Sequence, residues 1–519
     1  MRLFRGIPSQ ACVRLALVCA AIAVAAIIAG CGDNYRPVVT PIATNGPAAQ
    51  PQSWAVAVST TGVSSPGIVT IIDYSGDTIL VEAPIGPGPT AFTLDEVGGT
   101  GYTVNSDGTM SNFAISTSLQ AKNVSTSTVP PTAKLVNLMP PSSGLWATDL
   151  NGDVVDQFSG SPAAFKLAIP VATSGSPATM PVYIAGSPTL TGQREYAISQ
   201  DVPDNAPMTC NSSPRTAPIG VATPIQISSN TTDPAIPVGK CPVYAVESSD
   251  LQRLFVMNRG DDTVTVINTQ INALDSQCPP PTGCVNQAGQ TYFSHPTLPL
   301  SLSAASATGI TPPNGTAGMT AIAGPIYAEY NAATQQLVVA NYDGGSISVI
   351  DVSLDEYGND SATFGTTYTI PVGNTATPNP ASVTVLYDGS KAYTANQNDG
   401  AGNGTVTVVN LSTHTVEKTL TVVGHPRTVV NTQNSEYAKI YVASPDSPYI
   451  TIIESSPTVT DLIDTTILLE GTAVDVRTSS QNGSSGNNDY SSRVPGYGQP
   501  CNLPGSASLA SLAACQAIP

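Results

Sequence analysis

One phrase recurs along this chain and limits what it can become. Residues 393–430 read "YTANQNDGAGNGTVTVVNLSTHTVEKTLTVVGHPRTVV". An aromatic residue opens a short run that ends on Asn. A Gly/Asn/Asp turn, an alternating apolar run, a polar turn, a further strand and Gly-His-Pro follow. Strong copies occupy 254–270, with Asn258; 337–353, with Asn341; and 440–456, with Ser444 in place of Asn. Residues 54–96 hold the same strand pair and a third strand, and weaker copies lie at 101–117, 144–160 and 194–200 with 221–229. Period-two alternation bounded by Gly, Asn and Asp is the signature of short strands joined by hairpins. The 45 prolines and 44 glycines suit turns and penalise helix interiors, so the expected chain is nearly all β.

A single small sheet cannot bury both of its faces. Tandem four-stranded units spaced by roughly 45 to 60 residues bury them against one another, as blades round a ring. The second strands are expected near Trp54, Tyr102, Leu145, Glu195, Leu254, Leu337, Ala392 and Ile440, which counts eight blades. "TAVDVRTSS" (472–480) has no hairpin after it and is expected to supply the missing inner strand of the blade that begins at Trp54. The fold class expected is therefore an all-β propeller over 54–480, closed by pairing of its N- and C-terminal strands.

The phrase resembles the YVTN-type repeat of bacterial surface propellers. "YTAN", "YTVN" and "FVMN" stand where that family writes Tyr-Val-Thr-Asn, and "TVTVINT", "SISVIDV" and "TVTVVNL" resemble its next strand. "IPVG" and "VVGHPRTVV" resemble its connector into the next blade. The likeness spans about 54–478, strong over 252–456 and loose over 100–250. The family's usual count is seven, which would make one loose early unit an insertion that mimics a blade.

The flanks say where such a ring would live. Arg2, Arg5 and Arg14 precede the apolar run "LALVCAAIAVAAIIAG". At about 16 residues it falls short of the ~20 of a membrane span and fits a secretory signal over 1–30. "IIAGC" resembles the bacterial lipobox, which implies lipidation of Cys31, a membrane anchor and a place in the cell envelope. Gly32 after it is compatible with outer-membrane sorting where a second membrane exists. Residues 31–53 form a Pro/Ala-rich tether, and 481–519 form a low-complexity tail. Removal of 1–30 takes three Arg and no acid, moving the formal charge of −18 to −21. Such a chain has no basic stripe, which excludes nucleic acid as a partner.

Of nine cysteines, Cys12 and Cys19 leave with the signal. Cys210, Cys241, Cys278, Cys284, Cys501 and Cys515 remain, an even set that suggests disulfides in an exported chain. Nearest-neighbour pairing would staple three loops, but six cysteines allow fifteen arrangements.

Candidate chemistry is sparse. The repeated Asn396, Asn341 and Asn258 are expected to make turns, because Asn bonds nearby backbone and tolerates left-handed conformations. His295, His414 and His425 share no ligand spacing, and no GxSxG elbow or phosphate loop is written. "DLNGDVVD" gathers Asp149, Asn151 and Asp153, and "DEYGND" gathers Asp355, Asn359 and Asp360. Either set could take calcium, and either reads more simply as a hairpin turn. No other cofactor is expected. The expected function is a lipid-anchored, non-catalytic propeller that binds a protein or a cell-surface glycan through rim or channel loops. The insertions at 201–220 and 275–318 are the candidate rim. The alternative is a lactonase-type propeller hydrolase, for which Arg259, Asp262, Asn396, Arg427 and Arg477 are the nominated residues.

Overall fold

A computed structural model describes residues 54–478 except 96–98, 116–123, 140–143, 172–179, 187–193, 201–218, 276–283, 286–290, 293–299, 303–322, 356–357, 359, 401, 433–437 and 456–460. The tether, Cys31 and the tail therefore lie outside the described residues. Within them the alternating runs become eight antiparallel blades, and no α-helix is present. Blades 1 to 8 are numbered by their second strands, which begin at Trp54, Thr100, Leu145, Arg194, Arg253, Gln336, Lys391 and Lys439. Each start lies within two residues of its expected place. All eight units are blades, so none of the loose early copies is an insertion.

The inner strand of each blade touches that of the next, all the way round. The ring closes as expected. Thr472–Thr478 pairs antiparallel with Trp54–Thr60, from Thr60↔Thr472 to Ala55↔Thr478. Ala473 and Val476 join the core shared with blade 8, while Val474 joins the core shared with blade 2. Burial of the two valines alone contributes about 3–6 kcal/mol. The outer strand is regular in most blades and broken in two. In blade 4, Thr231–Thr232 and Ile236–Lys240 both pair with Ile219–Gln226. In blade 5, Ala273–Leu274 and Leu300–Ser301 both pair with Thr263–Asn268. The long insertion thus interrupts an outer strand, and Cys284–Val285 within it forms a small hairpin with Thr291–Tyr292.

The joints between blades are polar as well as apolar. The first residue of a second strand often carries a cation that reaches the next blade. Arg253 meets Asp360 at 2.9 Å and Asp275 at 3.2 Å. Lys391 meets Asp461 at 2.6 Å, and Tyr393 donates to the same carboxylate. Lys439 meets Asp77 at 2.5 Å across the closing joint. A second set of links forms at the far ends of the second strands. Asp399 accepts the amides of Asn374 and Thr375, and Asp446 accepts that of His425.

Candidate functional site: the inner wall of the ring

Inner strands are pinned to second strands by a recurring irregularity. In blades 2 to 7 the register slips once near the start of the inner strand, so one residue there has no partner of its own. The slip sets one layer of side chains at a common height, opposite the fifth residue of the second strand, or the fourth in blade 3. Blades 4, 5 and 6 place Tyr183, Tyr244 and Tyr327 in that layer. Their rings follow one another at centroid distances of 4.6 and 4.5 Å. Blades 7, 8 and 1 place Ser382, Thr428 and Asp475 there instead. One arc of the wall is aromatic and the arc that follows it round the ring is polar.

The polar arc gathers charge. Arg477, two residues after Asp475, contacts its carboxylate through Nε at 3.0 Å and through a terminal nitrogen at 2.8 Å. Burial pushes the Asp475 carboxyl up; the Arg477 charge, a hydrogen bond from Thr428 and the Arg427 charge pull it back. Arg427, Asp475 and Arg477 are all buried. Two positive charges, one just before the inner strand of blade 8 and one on that of blade 1, thus lie near one negative charge.

The other nominated residues serve the frame. Arg259 pairs with Asp343 of the next blade at 2.8 Å and lies over the Tyr342 ring. The Oδ1 of Asp262 accepts the amides of Ala323 and Gly324, where the chain enters blade 6. Asn396 donates through Nδ2 to Thr405 and Thr407, Asn341 to Ser346 and Ser348, and Asn258 to Thr263 and Thr265. This corrects the expected turn-making role. None of the three has positive φ; each clamps two hydroxyls on the following strand, which is why Thr or Ser alternates with Val and Ile there.

Asp149 accepts the amides of Lys134 and Asn151, Asn151 donates to the Thr132 carbonyl, and Asp153 accepts the amide of Met180. Asp360 is committed to Arg253, and Asn359 lies outside the described residues. Among the described residues no group of three or more His, Cys, Asp and Glu is placed to hold a metal ion. His295 is likewise outside them. His414 stacks on Tyr368 at 3.8 Å, and burial pushes its pKa down. Hydrogen bonding to Asp446 pushes that of His425 up. Cys241 is disulfide-bonded. Cys210, Cys278, Cys501 and Cys515 lie outside the described residues.

Sequence reasoning missed Asp475 and the tyrosine arc. The arc had a signal, since Pro-Val-Tyr at 181–183 and 242–244 recurs as Pro-Ile-Tyr at 325–327. Asp475 had none, because its partners Arg427 and Thr428 belong to the blade that precedes the closure.

No family model and no curated protein matches the chain. Solved structures share its fold at low identity. The dihydro-heme d1 dehydrogenase NirN is 12% identical with a TM-score of 0.55, over 86% of this chain and 79% of that one. AztD of Citrobacter koseri is 13% identical, with a TM-score of 0.48, over 83% and 99%. The periplasmic gluconolactonase PpgL of Pseudomonas aeruginosa is 14% identical, with a TM-score of 0.45, over 83% and 99%. At these identities the likeness is one of fold. The class the structure defines is an eight-bladed β-propeller.

Proposed function

We propose that this chain is an envelope lipoprotein, anchored through Cys31, whose propeller binds a protein or cell-surface polymer without chemically changing it. The observation that carries this reading is the fate of the polar repeat residues. Arg259, Asp262 and Asn396 are consumed in blade joints and strand clamps. What converges on the inner wall is two arginines around one carboxylate, a set that recognises an anionic group and offers no His or paired acids for proton transfer.

The topology supports a direction of display. Trp54 and Thr478 lie at the same end of blade 1, since Ala55 pairs with Thr478. Residues 201–218 leave from the opposite end of blade 4, between Arg194–Ser199 and Ile219–Gln226. The chain thus enters the ring at the start of a second strand, whereas the insertion at 201–218 follows the end of one.

A lactonase-type hydrolase is the second reading, favoured by the convergence of Arg427, Asp475 and Arg477. One preparation separates the two. The lipidated protein, purified in detergent, is presented with isolated envelope polymers and, separately, with simple lactones. The binder reading expects retention that weakens at least tenfold in Arg427→Ala and no lactone opening above buffer. Turnover that disappears in Asp475→Asn would overturn it. Labelled palmitate entering the wild type but not Cys31→Ala tests the anchor.

A further inference from the structure

The joint between blades 3 and 4 contains polar side chains that no other part of the frame uses. Trp146 Nε1, Thr148 Oγ1, Gln157 Oε1 and both carboxylate oxygens of Glu195 are buried with no hydrogen-bond partner among the described residues. All four residues are at most 1% exposed. Register shows that they face one another. Asn137, paired with Thr148, accepts the amide of Ile184 across the joint at 3.0 Å, and Ile184 is paired with Ala197. That bond sets the two blades at one height. Two residues back along each second strand come Trp146 and Glu195. Directly opposed residues share a face of a sheet. Gln157 lies opposite Trp146, and Ile225 lies opposite Glu195. Trp146, Ile184, Ala197 and Ile225 pack in one core, so these two faces are the ones in contact.

Glu195 is also an intruder in its repeat. The same site in other blades holds Ala55, Gly101, Leu145, Leu254, Leu337, Ala392 and Ile440. Opposite it stands Gly186, whose missing side chain leaves the space the carboxylate fills; a Cβ there would collide with Oε2. A sealed carboxylate without a donor is costly, by several kcal/mol for an unpaired charge. Burial and then the Glu247 charge push its pKa well above the usual range, and no cation among the described residues offsets them. Arg194, the preceding residue, is paired with Asp233.

We propose that the joint between blades 3 and 4 encloses a site for one monovalent cation, held by the Glu195 carboxylate with Gln157 Oε1 and Thr148 Oγ1. One carboxylate matches one positive charge, which leaves the sealed joint neutral. The two neutral oxygens complete an all-oxygen set suited to sodium, potassium or ammonium. Trp146 Nε1 donates to a water that stays with the ion. The site is independent of the binding function proposed above.

The test uses the full mature protein. Its melting temperature is followed in sodium, potassium, ammonium and tetramethylammonium chloride at one ionic strength, the last cation being too large to enter. The expected result is a saturable rise of several degrees with at least one small cation over tetramethylammonium, absent in Glu195→Gln. In Gln157→Leu, which keeps the carboxylate, the concentration for half-maximal effect should rise at least tenfold. Identical melting in all four salts, or the same salt preference in Glu195→Gln, would overturn the site. Should Glu195→Gln fail to fold, thallium-205 NMR of the wild type decides. A bound-ion signal displaced by potassium supports the site, and its absence refutes it.

Discussion

The joints of blades 5 to 8 and the joint between blades 3 and 4 solve the same problem in opposite ways. In the first group several buried charges find partners in the next blade: Arg253 with Asp360, Arg259 with Asp343, Lys391 with Asp461. In the second, an acid, an amide, a hydroxyl and an indole nitrogen are buried together and joined by nothing described. The first group is also where the repeated phrase is most faithful. Fidelity to the repeat therefore means self-sufficiency, and the place to look for a ligand is where the repeat is broken.

The largest effect should come from the ring itself. Ending the chain before Thr472 removes the inner strand of blade 1 and exposes two blade faces, and should lower the melting temperature by 10 °C or more, as read by circular dichroism. An unchanged curve would mean that the closure contributes nothing. Next comes the loss of a partnered charge. Arg253→Met leaves Asp275 and Asp360 facing each other in the interior and should cost about 3–5 kcal/mol in urea unfolding.

A pH dependence should follow from Glu247, at the end of blade 5's inner strand. Burial, then the charge of Asp250, push its pKa up to about 8. An acid whose folded pKa is raised binds its proton more tightly folded than unfolded. Its stabilising protonated form is thus fully present below about 4.5, the unfolded value, and is lost as pH rises through about 8. Stability should fall over that window by on the order of 5 kcal/mol, with Glu195 and Tyr196 as the neighbouring titratable groups. Glu247→Gln should flatten the curve. The smallest effect belongs to a strand clamp. Asn396→Ala leaves Thr405 and Thr407 without their donor and should cost about 1–2 kcal/mol.

Much of this was legible in the sequence, for definable reasons. The alternation, the turns and the Gly-Pro connectors are local signals, so blade starts such as Leu145 and Leu254 could be placed within a residue, and the unpaired run at 472–480 could be assigned to closure. The role of Asn396 was not legible, because its partners are hydroxyls across a hairpin and not its own turn. Nor was the set of polar side chains around Glu195. Which residues meet across a joint depends on the register within two blades and on the Asn137–Ile184 bond between them. A trace of it was written: an acid stands where seven other copies place Ala, Gly, Leu or Ile.

The most direct test is to give Glu195 back to the repeat. Glu195→Leu, measured as the mature protein in tetramethylammonium buffer, should melt higher than the wild type, because it removes a buried acid that nothing among the described residues pairs. A fall of several degrees, like that expected for Arg253→Met, would show that Glu195 is a working part of the joint and would undo the distinction between the two halves of the ring.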